Sequence, residues 1–98
     1  MTQQSISKND IYAIAMHHRF QWEDAQQCYV ILFPEGMVKL NGGAGEVLKR
    51  VNGKASVADI VADIQSTFPD APNIEADVVG MFDLAVGKAW LRKVKSCN

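Results

Sequence analysis

Few residues in this chain have the type and spacing that chemistry requires. His17 and His18 stand side by side and invite a metal reading. Adjacent residues point to opposite faces of a strand and lie about 100° apart on a helix, so the pair is poorly placed to share one ion. No Cys, Asp or Glu stands at a helpful spacing, and surface histidines are the expectation. Cys28 and Cys97 are far apart and match no metal spacing. Cys28 lies in an apolar run, where burial disfavours the thiolate, so it reads as a packing residue and not as a nucleophile. Asp59 and Asp63 are four apart, but nothing around them would desolvate either carboxylate, and they read as a solvated helix face. The stretch 41–46 (NGGAGE) lacks the Lys-Ser/Thr of a phosphate-binding loop and does not fit G-x-G-x-x-G. With no nucleophile–base pair, metal set or cofactor loop, the expectation is a protein that is not an enzyme and holds no cofactor and no metal.

The chemistry therefore has to lie in surfaces, and surfaces are set by the elements. Ninety-eight residues with 48% hydrophobic content form one globular domain. A net charge of −1 draws in neither nucleic acid nor an anionic membrane. No apolar run approaches the ~20 residues of a membrane span. The first ten residues have no basic segment followed by an apolar one, so no secretory signal is expected. The expected setting is cytoplasmic, with reduced thiols.

The expected fold is α+β: a three-stranded antiparallel sheet followed by three helices, with the organisation of a winged helix. Residues 1–18 are read as a flexible N-terminal arm. Residues 11–16 are left open between packing on the body and docking on a second copy, which would give a homodimer. Residues 19–93 are the domain and 94–98 a tail. Residues 19–23 (RFQWE) alternate as a half-buried strand does, with Phe20 and Trp22 inward. Residues 27–33 are nearly all apolar, as in a central strand. Residues 36–40 follow a Pro-Glu break, and the two runs read as a hairpin. Val38 and Leu40 are expected to face the core, leaving Met37 and Lys39 outward.

Asn41 is expected to cap a first helix over 43–51. Ser56 and Asp59 form a capping-box pattern ahead of a stripe at Val57, Ile60, Val61, Ile64 and Phe68. Asn73 is expected to cap a last helix reaching about Lys93, with Ile74, Val78, Met81, Phe82, Ala85 and Ala89 on one apolar arc. That arc is wide enough either to be wrapped by the core, with Trp90 closing it, or to leave part facing a groove. Since everything after Leu40 reads as helix, the strand at 36–40 has no later strand to pair with. Its free edge is read as a docking rail for a peptide, because unpaired N–H and C=O groups accept an added strand. Proline at Val38 is the substitution this pattern suggests for removing a donor from the rail.

The residues 34–41 (PEGMVKLN), then Gly53, Ser56-Val57, Ile60-Val61, Asp77-Val78 and Trp90-Leu91, resemble the PqqD family of pyrroloquinoline quinone (PQQ) biosynthesis. The resemblance covers roughly residues 19–92. It implies a non-catalytic peptide chaperone, a recognition element for a ribosomally made precursor. The implied guest is the peptide PqqA, presented to the radical S-adenosylmethionine enzyme PqqE. It also implies that the guest adds as a strand to the third strand and packs on the third helix. Carried over, the peptide-binding positions are Met37, Val38, Lys39 and Leu40 on the strand and Val78, Met81, Phe82 and Ala85 on the helix. Met37 and Met81 suit an adaptable surface, and an outward Lys39 suits an acidic guest residue. The alternative is a winged-helix DNA-binding regulator. It would need a basic recognition helix, and residues 56–68 contain two aspartates and no Lys or Arg.

Overall fold

The computed structural model describes residues 6–96. Strands β2 (Arg19–Glu23), β3 (Cys28–Phe33) and β4 (Gly36–Lys39) form an antiparallel sheet in the order β2-β3-β4. β1 is Asp10–Ile14. Phe20 lies opposite Ile31, and Ile31 opposite Val38, so these three share one face. Alternation puts Tyr29 and Leu40 on that face as well. Three helices stand with the sheet: α1 (Gly42–Leu48), α2 (Val57–Thr67) and α3 (Ile74–Gly87). The expected α+β arrangement of sheet and helices is thus present.

Local signals explain the first two helices. The Asn41 side chain accepts from Ala44 N at 2.8 Å and starts α1. At α2 both halves of the capping box form, with Asp59 N donating to Ser56 Oγ at 3.1 Å and Ser56 N to Asp59 Oδ2 at 3.0 Å. Val57, Ile60, Val61 and Ile64 are buried, while Phe68, expected on the same stripe, stays exposed. Arg50 ties α1 to α2: it donates to Glu46 Oε1 at 2.8 Å and to Asp63 Oδ2 at 2.6 Å. α1 approaches β3 closely at Gly45, where a Cβ would stand 2.8 Å from Tyr29 Cδ2.

The end of the chain differs from the expectation. α3 stops at Gly87 and not near Lys93. Asn73 stands at its start in the left-handed region (φ 56°) and makes no side-chain cap. After α3 the chain turns through Ala89, also left-handed (φ 64°), and Trp90 N donates to Ala85 O at 2.9 Å. A fifth strand follows, β5 (Leu91–Ser96), so β4 is not the last strand. β5 pairs antiparallel with β1, setting Ile14 against Leu91 and Tyr12 against Lys93. Within the expected arm, residues 10–14 thus form a paired strand, and within the expected tail, residues 94–96 belong to β5. This pairing also shows residues 10–14 docked on their own domain. The physical reason is distance: β1 and β5 are short, lie at opposite ends of the chain, and each stabilises the other only once paired. Cys97 and the rest of the expected arm and tail, 1–5 and 97–98, lie outside the described residues.

The two sheets share one core. Tyr12 of β1 packs its ring 5.4 Å from that of Phe82 on α3, among Leu48, Val57, Val78 and Leu91. Trp90 is buried and closes the core, as the first alternative for the wide arc expected. Asp10, the one buried carboxylate among the described residues, accepts from Tyr12 Oη at 3.3 Å and meets Lys93 Nζ at 3.4 Å, joining β1 to β5. Among the described residues, no helix is long and apolar enough to cross a membrane.

Candidate functional site

The hydrogen-bond phase of β4 decides what its outer edge offers. Among the described residues β4 pairs only with β3, and β5 does not reach it. Leu40 N donates to Tyr29 O at 3.0 Å. In an antiparallel ladder bonded and non-bonded pairs alternate, so Val38, opposite Ile31, is bonded inward. Met37 and Lys39, opposite Leu32 and Val30, fall on the non-bonded pairs. Their N–H and C=O groups therefore point to the open side. The sequence-based choice of proline at Val38 is corrected by this phase, because it would remove a bond to β3 instead of a donor on the rail.

The eight expected contact residues divide sharply. Met37 is 43% exposed and Lys39 is exposed, both on the face turned from the core. Lys39 Nζ donates to Gln26 Oε1 at 3.0 Å. Val38 is half-buried, and Leu40 belongs to the core. On α3, Val78, Phe82 and Ala85 are buried in the core, so their side chains chiefly support the helix. Of these four helix residues, Met81 lines one groove and Val78 the hollow that adjoins it.

That groove lies between α1 and α3. It begins at Asn41, just beyond the end of β4, and holds about 340 Å³ lined by Val47, Asp77, Gly80, Met81 and Leu84. A second, larger hollow of about 420 Å³ continues it toward Ile64, Phe68 and Ile74. The two share Gly43, Val47 and Asp77. Asp77, Gly80 and Leu84 were absent from the sequence-based site. Leu84 carried the available signal: it is a large apolar residue off the main arc, and the structure leaves it 47% exposed.

The electrostatics of the helical layer are one-sided. Residues 55–87 contain Asp59, Asp63, Asp70, Glu75, Asp77 and Asp83 and no Lys or Arg. Cations from elsewhere answer some of these: Lys8 Nζ meets Glu75 at 2.6 Å, and Arg50 meets Asp63. Glu46, at the wall of the larger hollow, is held below the usual carboxylate range chiefly by the Arg50 hydrogen bond. His17 and His18 occupy the turn between β1 and β2, where His18 Nδ1 lies 2.8 Å from Met16 O. Among the described residues no group of His, Cys, Asp and Glu could hold a metal ion.

A three-stranded sheet whose β4 border opens beside a helix-walled groove defines a small α+β domain of winged-helix type. The sequence profile of the family described as "Coenzyme PQQ synthesis protein D (PqqD)" matches residues 28–91. The chain belongs to the PqqD family. A relative from Stutzerimonas stutzeri named "PqqA binding protein" is 49% identical over 73 residues, covering 74% of this chain and 79% of that protein. One of the same name from Azotobacter vinelandii is 46% identical over 83 residues, covering 85% and 90%. Among solved structures, the solution NMR structure of the PqqD truncation of Methylobacterium extorquens PqqCD superposes with a TM-score of 0.74. It is 28% identical, and the match covers 90% of this chain and 95% of that one. Its description is of a functional, stand-alone recognition element for ribosomally synthesized and post-translationally modified peptides (RiPPs).

Proposed function

We propose that this protein is a non-catalytic chaperone of PQQ biosynthesis that binds the precursor peptide PqqA by strand addition to β4 and presents it to the radical S-adenosylmethionine enzyme PqqE. The observation that carries the reading is the outward phase of Met37 and Lys39 on a strand that has no outer partner among the described residues. The names of the relatives supply the guest, since they are called PqqA binding proteins. An extended guest gains main-chain bonds along Met37–Lys39, which give affinity independent of its sequence. Selectivity then falls to the groove that opens at Asn41, where Met81 and Leu84 meet guest side chains. A guest that is disordered when free loses chain entropy on ordering, and the backbone bonds and apolar burial together offset that loss. No step of this function needs a cofactor, and the bound peptide is the cargo on which PqqE acts.

The test separates backbone from side chain. Isothermal titration of synthetic PqqA is run against the unaltered protein, Met37→Ala and Met37→Pro. Proline removes an outward donor and leaves the β3 ladder intact. Met37→Pro is expected to bind roughly tenfold or more weakly than Met37→Ala, the magnitude of a lost hydrogen bond plus an acceptor left unsatisfied. Equal affinity of the two variants, both folded by circular dichroism, would refute strand addition at this edge.

A further inference from the structure

We infer that Asp77 is the charge-selecting position of the groove, and that the guest segment lying there carries a Lys or Arg beside the apolar side chain that fills it. This rests on the peptide-binding reading above and adds a chemical requirement on the guest.

Four observations carry it. Asp77 lines both hollows, so it stands where the groove is continuous. The walls beside it are bare backbone: a Cβ added at Gly42 or Gly80 would meet nothing within 4 Å. A long guest side chain therefore has space to reach the carboxylate. Neither hollow is lined by a Lys or Arg. Finally, the neighbouring acids are already engaged. Glu46 is bound by Arg50 and approached by Lys49, Asp63 by Arg50 and Glu75 by Lys8, whereas Asp77 has no ion pair or side-chain hydrogen bond among the described residues.

Asp77 is exposed, so its pairing with a guest cation is screened by salt, while the adjoining Val47, Met81 and Leu84 take the guest's apolar side chain. An acidic guest residue at the same place would meet like charge, with no Lys or Arg lining either hollow to relieve it. Discrimination therefore comes from attraction of one sign and rejection of the other. Asp77 also sits in the first turn of α3, where a carboxylate favours the helix dipole. A purely structural role of that kind would alter stability without altering which peptide is preferred.

The experiment is a mutant cycle. Synthetic PqqA and versions with each Lys or Arg singly replaced by Gln are titrated against the unaltered protein and Asp77→Asn, at low and at high salt. One peptide replacement is expected to weaken binding by about three- to tenfold, Asp77→Asn to weaken it equally, and the combination to add nothing further. High salt should erase most of the difference. The inference is overturned if Asp77→Asn changes affinity by less than about twofold, or if its effect adds independently to that of every peptide replacement. If Met37→Pro still weakens binding in that case, strand addition stands without the charge requirement. Failure of the unaltered protein to bind PqqA overturns both.

Discussion

Gly45→Ala pits two effects of known size against each other, and the structure decides the sign. The residue is inside α1, where alanine is favoured over glycine by up to about 1 kcal/mol. Against that, the added Cβ would stand 2.8 Å from Tyr29 Cδ2 and 3.5 Å from Tyr29 Cβ and Cγ. Carbon atoms pack best at about 3.5–4.0 Å, so one contact is short by roughly 1 Å. Tyr29 has little room to retreat, because its ring stacks on Phe20 at 4.8 Å and meets Trp22 edge-on at 5.0 Å. α1 cannot easily lift, because Val47 and Leu48 anchor it in the core. Overpacking of this kind costs about 1–3 kcal/mol, which outweighs the propensity gain. The expected net loss is about 1 kcal/mol, or a drop in Tm of about 4–8 °C for a domain of this size. Thermal and urea unfolding followed by circular dichroism measure it. Gly80→Ala is the matched control: it lies in a helix with open space at its Cβ, and it should gain up to about 1 kcal/mol. Combining Gly45→Ala with Tyr29→Ala should remove the penalty, since the obstructing ring is gone. A Gly45→Ala protein as stable as Gly80→Ala would show that the α1–β3 contact is looser than described, and the reasoning would fail.

Two further outcomes follow from single residues. Ala89 holds a left-handed conformation (φ 64°) at the end of α3, so Ala89→Gly should stabilise the fold by about 1 kcal/mol, read as a higher urea midpoint with an unchanged slope. The Tyr12 hydroxyl is pushed up to about 12 by burial, with the Asp10 carboxylate adding to the effect. A phenol whose folded value lies above its unfolded value of about 10 contributes stability below that pH and loses it as pH rises toward 12. The protein should therefore weaken progressively between pH 10 and 12, and Tyr12→Phe should flatten that decline, as seen in urea unfolding across the range.

What the sequence made readable was local. Ser56 and Asp59 are three apart and cap the helix they precede, and the stripe from Val57 to Ile64 repeats within one element. The strands at 28–33 and 36–39 are joined by two residues, so pattern and pairing coincide. β5 escaped because Leu91 acquires its meaning only against Ile14 of β1, far away in the sequence. On α3, a broad apolar arc does not say which part of it the core takes. Val78, Phe82 and Ala85 went inward, leaving Asp77, Met81 and Leu84 for the groove. The alternation of β4 showed correctly which side chains turn outward. Side-chain alternation alone does not give the phase of its backbone bonds, which depends on the single contact between Leu40 and Tyr29.

Pairing the first strand with the last also sets a timetable for the molecule's birth. A hairpin such as β3–β4 can close as soon as its few residues leave the ribosome, since its loop is short. The clasp of β1 on β5 joins residues 10–14 to 91–96 and must wait until β5 has been synthesised. Until then Tyr12 lacks its neighbour Leu91, and α3 has apolar surface still open on the side that β5 will meet. A nascent or truncated chain can thus carry a formed wing while its helical layer remains unlatched.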